Sequence, residues 1–150
     1  MTDIATDSPT PLIVSLRTQL ASQGHTKDLL ASTDRMTVHI HCYAPKGGEN
    51  GMHAHTQEDH VFVCLQGEAV FRGLEGPLPP LRRNQAIFLS RGCFYSFSNE
   101  QNEPCILVRI GAGEKERAGE RLDPQGNPIV GRGKKAHAVK PVLIENAFFE

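Results

Sequence analysis

The chain of 150 residues has little that would direct it to a large or charged partner. Its 16 basic residues are balanced by 17 acidic ones, so the formal net charge is −1 and gives no electrostatic basis for binding nucleic acid or an anionic membrane. No apolar run approaches the roughly 20 residues that span a bilayer, and the polar, acidic N-terminus is unlike a signal peptide. We therefore expect a single-domain cytoplasmic protein whose partners include neither nucleic acid nor a membrane.

Cysteine is scarce, and its spacing argues against two of its common uses. Cys42, Cys64, Cys93 and Cys105 include no CxxC pair, and nothing else in the sequence indicates secretion. The sequence thus predicts reduced thiols, each buried as a small apolar residue, rather than a disulfide framework. The chain also lacks tryptophan and any GxxxxGK[ST] loop, so phosphate-cradle chemistry is not supported.

The first element of the chain is predicted to be a short amphipathic helix within residues 10–24. Thr10 is a suitable N-cap, Pro11 suits the first helical position, and Gly24 lies beyond the end. Its apolar residues fall on one face at helical spacing: Ile13, Leu16 and Leu20.

From about residue 35 the sequence becomes typical of β-structure. Residues 36–44 alternate between an apolar set and a set that carries His39, His41 and Tyr43. Further strand-like runs follow between turn-rich segments, at 60–65, 68–72, 85–90, 94–99 and 105–110. A succession of short strands predicts an all-β sandwich or barrel.

Three histidines stand at the start of this β-rich region. His53 and His55 are two residues apart and share one face of an extended segment, while His60 opens the next strand and shares a face with Phe62 and Cys64. A lone histidine is more often a hydrogen-bonded surface or core residue than a ligand. Three neutral imidazoles that converge in a cavity, however, form a facial ligand set for a divalent transition metal.

The same segment resembles the first motif of the cupin superfamily, G(X)5HXH(X)3,4E(X)6G. Gly47 begins the match, His53 and His55 supply the HXH pair, and Gly67 ends it. His60 stands where most cupins carry glutamate. The family's second motif, G(X)5PXG(X)2H(X)3N, is matched in register over residues 84–99. Its five defined positions are held here by Asn84, Ser90, Gly92, Tyr95 and Asn99.

The resemblance implies an all-β fold, a single cupin jelly-roll β-barrel. We expect its core at residues 35–112, an N-terminal arm with the short helix at 1–34, and an irregular C-terminal extension at 113–150 that packs on the barrel or on a partner subunit. Asn84 replaces a glycine in a turn, and asparagine is among the residues that tolerate a left-handed conformation.

The departures from the motifs bear on chemistry. Cupins typically hold a metal with three histidines and one glutamate. The resemblance therefore implies a metal held by His53, His55 and His60, with Tyr95 in place of the last histidine. Tyr95 is the predicted catalytic residue, and it could ligate as a phenolate or donate a hydrogen bond as a neutral phenol.

An all-histidine set leaves a net positive centre that suits a small, anionic, chelating substrate. In the cupin superfamily such sites are associated with non-haem iron dioxygenases that act on thiols, diketones or aromatic diols. Iron is expected if the protein is an oxygenase, and nickel, zinc or manganese are possible ions. Two alternatives stay open: a metal-dependent isomerase, cyclase or lyase, and a non-catalytic small-molecule-binding or sensor cupin.

Strand alternation assigns the remaining polar and aromatic residues. The predicted substrate pocket comprises His41, Phe62, Cys64 and Phe97, with Phe88 as a further possibility. His39 and His41 could line the cavity or face solvent, whereas His25 and His137 are expected at the surface. Three carboxylates near the histidines are expected to be solvated loop residues: Glu49, Glu58 and Asp59. Asp59 is also expected to point away from the metal.

The apolar surface predicts a homodimer. Val61, Val63 and Leu65 make the outer face of the main strand apolar, so that both faces need cover. The segment PVLIENAFF at 141–149 adds more apolar surface than a small monomer normally exposes. Small cupins are also commonly dimeric, which is part of what the resemblance implies.

Overall fold

The prediction of an all-β protein is confirmed by a computed structural model that describes residues 9–114, 120–129 and 139–150. These residues form strands and no helix. The first six strands are β1 Thr18–Gln23, β2 Asp28–Ser32, β3 Met36–Tyr43, β4 Gly48–His55, β5 Glu58–Gln66 and β6 Glu68–Gly73. The others are β7 Gly76–Pro77, β8 Leu81–Arg82, β9 Ala86–Leu89, β10 Tyr95–Ser98, β11 Cys105–Gly113, β12 Arg121–Leu122 and β13 Val142–Phe149.

Two antiparallel sheets form the body of the protein. One has the order β2-β3-β11-β5-β9, and the other has the order β12-β4-β10-β6-β7 with β8 also paired to β6. Phe62 of the first sheet packs on Phe71 and Phe97 of the second, at ring-centroid distances of 5.5 and 5.3 Å. Side-chain packing therefore joins the sheets, and strand pairing in the described residues does not close the expected barrel.

The alternation of side chains within β3 explains how the first sheet is covered on both faces. Tyr43 belongs to the core between the sheets, whereas Ile40 and Cys42 belong to a second core on the outer face. Because side chains alternate along a strand, His39 and His41 lie on the same inner face as Tyr43.

The expected N-terminal helix was wrong. Residues 9–17 have no regular secondary structure, and Thr18–Gln23 form β1, which pairs with β13 in a two-stranded sheet that we call the terminal ribbon. The helix signals were local, whereas the backbone hydrogen bonds of β1 are made with residues far along the chain, at 142–149. For the same reason the C-terminal extension is not irregular throughout.

The terminal ribbon covers the outer core of the five-stranded sheet. Ala21 is fully buried there, and Leu20 and Phe149 pack against the same cluster as Val63 and Leu65. The outer apolar face of β5 is thus covered by the chain itself, which removes that face as a reason for dimerisation. Much of the ribbon's own apolar surface remains exposed: Val142, Leu143, Ile144 and Phe148.

Asn84 and Gly67 of the cupin motifs have a positive φ, and for Asn84 the sequence predicted it. Asn84 adopts a φ of 68°, the left-handed conformation predicted for its position. Gly67 has a φ of 73°, and a Cβ there would lie 2.8 Å from the carbonyl oxygen of Pro104. Across the described part of the chain, no helix is long and apolar enough to cross a membrane.

Candidate functional site

Strands from both sheets bring the predicted metal ligands and Tyr95 together. His53 and His55 lie at the end of β4, His60 lies in β5, and Tyr95 pairs with His53 across β10 and β4. Ring centroids are 5.1 Å apart for His53 and His55, 4.1 Å for His55 and His60, and 4.5 Å for His53 and Tyr95. All four side chains are buried, and we refer to them as the His/Tyr cluster.

Hydrogen bonds determine which nitrogen of His53 and His55 carries the proton. His53 Nδ1 lies 2.7 Å from the Gly51 carbonyl oxygen, and His55 Nδ1 lies 2.8 Å from Glu120 Oε2. Carbonyl and carboxylate oxygens only accept, so each Nδ1 must be the donor. The other ring nitrogen, Nε2, is not used by these two contacts, and His53 Nε2 is buried with no hydrogen-bond partner among the described residues.

In His60 the anchored ring nitrogen is Nε2 rather than Nδ1. Its Nε2 lies 2.9 Å from Glu58 Oε1, which makes Nε2 the donor and Nδ1 the lone-pair nitrogen. The Tyr95 hydroxyl lies 3.5 Å from that Nδ1. Each of the three rings therefore has one nitrogen anchored by an oxygen acceptor and a second nitrogen available for another ligand.

The chemistry of these donors fits a transition metal. Metal-ligating histidines almost always donate their other ring N–H to a carboxylate or backbone carbonyl, as all three do here. In the described residues, no group of three or more His, Cys, Asp or Glu side chains is arranged as a metal site. The structure thus assembles the rings and their anchors, with His60 presenting Nδ1 where the other two present Nε2.

Burial determines the charge states in the cluster. It lowers the pKa of His55, His60 lowers it further, and the hydrogen bond to Glu120 opposes both. Burial also raises the pKa of Tyr95 well above its usual range, and the Glu49 carboxylate adds to this effect. Burial therefore favours the neutral form of His55 and the protonated phenol of Tyr95.

Two carboxylates hold the rings: Glu58, which was expected to be a solvated loop residue, and Glu120, for which the sequence made no prediction. Glu58 lies in β5, and its hydrogen bond to His60, more than any other influence, lowers its pKa. Glu120 has a fully buried side chain and also accepts from the Gln57 backbone N–H at 3.1 Å. Glu120 belongs to a charged, Gly-rich segment that resembled a surface loop, so no local signal pointed to it.

The other predicted carboxylates divide between the two faces. Glu49 lies in β4 rather than in a loop, and its Oε2 is buried with no partner among the described residues. Asp59 points outward, as expected, and Oδ1 accepts from the Arg91 backbone N–H at 2.9 Å. Phe88 is 78% exposed, so its proposed place in the pocket was wrong.

The predicted pocket residues lie on the inner faces of the two sheets. Phe62, Cys64 and Phe97 are fully buried in the core between the sheets. His41 is also buried, and its Nδ1 lies 3.1 Å from the Thr26 carbonyl oxygen. Of these four residues, His41 is the one with an unpartnered polar atom, since its Nε2 is buried without a partner in the described structure.

Outcomes for the remaining histidines and cysteines differ from residue to residue. His39 is buried on the inner face, and His25 is exposed with its ring stacked 5.1 Å from Tyr43. His137 lies outside the described residues. All four cysteines are free, and Cys93 is exposed rather than buried as expected.

Comparisons with known proteins agree with this fold. The family model for the Cupin domain matches residues 39–111. A comparison with curated proteins finds no match. The TT1209 protein from Thermus thermophilus is a similar solved structure, with 25% identity, a TM-score of 0.56, and coverage of 61% of this chain and 86% of that one.

Two further solved structures are similar in fold. One is an uncharacterized conserved protein with a double-stranded β-helix domain from Klebsiella pneumoniae, with 18% identity, a TM-score of 0.57, and coverage of 63% of this chain and 76% of that one. The other is a cupin superfamily protein from Desulfitobacterium hafniense, with 18% identity, a TM-score of 0.51, and coverage of 61% and 78%. The match of residues 39–111 to the Cupin domain, the two motifs in register and the facing antiparallel sheets support the placement of this part of the chain in the cupin superfamily.

Proposed function

We propose that the protein binds one divalent transition metal ion through His53, His55 and His60 and acts on a small organic anion between its two sheets. The observation that carries this proposal is the set of anchors behind the rings. Gly51 O, Glu120 and Glu58 each engage one ring nitrogen and leave the other as a lone pair. A buried lone pair without a partner, as at His53 Nε2, is costly unless a ligand engages it.

When bound, the ion supplies a Lewis-acid centre that polarises a chelating carboxylate or enolate oxygen and, as iron, a centre for oxygen chemistry. The donor set is neutral, so the centre keeps its full positive charge and favours an anionic substrate. We propose dioxygenase-like oxidation as the reaction.

The other residues of the cluster have separate tasks in this proposal. Tyr95, protonated and buried, donates a hydrogen bond to substrate and thereby orients it. Glu58 and Glu120 hold the rings of His60 and His55 in the orientation that presents their free nitrogens. Phe62 belongs to the core between the sheets, with its ring centroid 6.5 Å from that of His60 and 6.1 Å from that of Tyr95, and it keeps water from the inner side of the site.

Metal analysis of the protein purified without added metal tests the proposal. We expect about one ion per chain, with iron, nickel, zinc or manganese present according to availability. The double substitution His55→Ala and His60→Ala should abolish binding and leave the β-sheet circular dichroism intact. The matched control is His25→Ala, which removes an exposed histidine away from the cluster and should keep the metal.

Full metal occupancy in the double variant would show that these histidines are not the ligands. Oxygen uptake with small thiols, diketones and aromatic diols then tests the reaction class. Turnover without oxygen uptake would replace the oxygenase with a metal-dependent isomerase, cyclase or lyase. Ligand binding without turnover would indicate a sensor.

A further inference from the structure

Arg109 lies on the inner face of the five-stranded sheet beside the His/Tyr cluster. In β11 it pairs with His39 of β3 on one side and with Phe62 of β5 on the other. Two residues further along the same strand, Gly111 pairs with His60. Arg109 has the same strand parity as Leu107, which belongs to the inner core, so the guanidinium is directed between the sheets.

The Arg109 guanidinium lacks the partner that a buried cation normally has. Its Nη2 donates to His39 Nδ1 at 3.2 Å, and its Nε is buried with no hydrogen-bond partner among the described residues. No salt bridge joins it to a carboxylate in the described part of the chain, although its charge reaches Glu58 and contributes to the lowered pKa of that carboxyl. His39 is a neutral acceptor here, because burial lowers its pKa to about 4 and the Arg109 and Lys27 charges add to the effect.

Packing alone does not explain an arginine at this position. The residues at the alternating inner positions of β11 are Cys105 and Leu107, which are fully buried and apolar. A half-buried guanidinium whose Nε–H has no acceptor loses hydration there that none of the described protein groups replaces. Nη2 carries two hydrogens, so one can stay on His39 while the other, together with the unused Nε–H, forms the flat edge that binds a planar carboxylate through two parallel hydrogen bonds.

We propose that Arg109 binds the carboxylate of the small-molecule substrate and thereby determines specificity for carboxylic acids. His39 acts as a positioning residue, since its contact with Nη2 holds the guanidinium plane while the Nε–H has no protein acceptor among the described residues. This inference rests on the proposed function in one respect, that the substrate enters the space between the sheets. It does not depend on the metal.

Nitrogen–proton NMR of the arginine side chains in metal-free protein tests the proposal. The Arg109 Nε–H signal is assigned in the unmodified protein by through-bond correlation with the Arg109 backbone amide, and its loss in Arg109→Lys checks the assignment. Titration with acetate at constant ionic strength should shift this signal along a saturating curve, and acetamide, the neutral counterpart, should not shift it. Arg109→Gln should raise the acetate concentration needed for half-saturation, followed by backbone amide signals of the cluster, by about tenfold or more.

Arg82 provides a matched control. Its Nε already donates to Glu68 Oε2 at 3.2 Å at the surface, so its signal should not move and Arg82→Lys should bind acetate as the unmodified protein does. The unmodified protein alone can overturn the proposal, even if an Arg109 variant fails to fold. Three results would overturn it: an Arg109 Nε–H signal that does not move with acetate, one that moves equally with acetamide, or one that moves with inorganic phosphate but not with acetate.

The two proposals can fail separately. Arg109-dependent acetate binding in a protein that takes up no metal would leave the carboxylate site in place and refute the metal site. Stoichiometric metal binding with an Arg109 signal that acetate does not move would leave the metal site in place and refute the role of Arg109.

Discussion

Glu120 offers a sharp test of how the site is built, because its side chain has two defined contacts and no solvent exposure. Oε2 accepts from His55 Nδ1 at 2.8 Å, and Oε1 accepts from the Gln57 backbone N–H at 3.1 Å. The backbone of Glu120 is anchored separately, since its carbonyl oxygen accepts from the Thr56 backbone N–H at 3.0 Å. A substitution therefore removes the side-chain contacts and keeps this backbone anchor.

The expected magnitudes follow from these contacts. Glu120→Ala leaves the His55 Nδ1–H and the Gln57 N–H without their acceptor, which costs about 1–3 kcal/mol for each buried group. Gln57 is half-buried and water can reach it, so its share is at the lower end. Loss of a residue that orients a ligating histidine also weakens metal binding by about 10–100-fold.

Glu120→Gln is the matched variant. The amide keeps the shape of the side chain and one accepting oxygen, but its nitrogen can only donate. If the oxygen faces His55 Nδ1, the Gln57 contact is lost, and if it faces Gln57, the NH2 favours the tautomer of His55 with the lone pair on Nδ1. We therefore expect an intermediate loss of metal affinity and a smaller loss of stability than in Glu120→Ala.

Urea unfolding of the metal-free protein and competition with a chelator measure the two effects separately. The unfolding free energy should fall in the order unmodified protein, Glu120→Gln, Glu120→Ala, and metal affinity should fall in the same order. If folded Glu120→Ala bound metal as tightly as the unmodified protein, the carboxylate would have no part in orienting His55.

Three further predictions concern acid, Tyr95 and assembly. In the folded protein, burial lowers the pKa of His39 to about 4 and that of His41 well below 6.5. The unfolded chain therefore binds protons at a higher pH than the folded one, and stability should fall as the pH drops from about 6.5 towards 4. An unfolding midpoint in urea that is constant over this range would contradict both shifts. Tyr95→Phe should weaken ligand affinity or turnover several-fold, the equivalent of about 0.5–1.5 kcal/mol. The unmodified protein loaded with ferric iron should show no phenolate-to-iron absorption band. If it shows a band that Tyr95→Phe removes, Tyr95 is a metal ligand. Light scattering should report a dimer built on the exposed apolar residues of the terminal ribbon, and a mass of 16.5 kDa at micromolar concentration would refute it.

Strand alternation explains why much of the site could be predicted. Because successive side chains point to opposite faces, the spacing of His53 and His55 and the parity of His60 predicted that these residues face inward. The motif register placed Tyr95 beside them in the same way, and the structure brings all four into contact. The left-handed conformation of Asn84 could likewise be predicted, because few residue types adopt a positive φ.

Other features depended on pairing between distant parts of the chain. Thr10, Pro11 and Gly24 carry genuine helix signals, but residues 18–23 pair instead with the C-terminal strand. A local pattern cannot show which distant strand will supply backbone hydrogen bonds, and tertiary pairing overrides weak helix propensity.

The sequence by itself determined the β-rich class, the two motifs and the inward set of histidines, because these follow from residue type and period. Only the tertiary structure decided which nitrogen each histidine presents, because that depends on acceptors from elsewhere, above all Glu120, 65 residues from His55. It also showed that Arg109 Nε is buried without a hydrogen-bond partner among the described residues, since a missing partner becomes visible only when the neighbouring strands are in place.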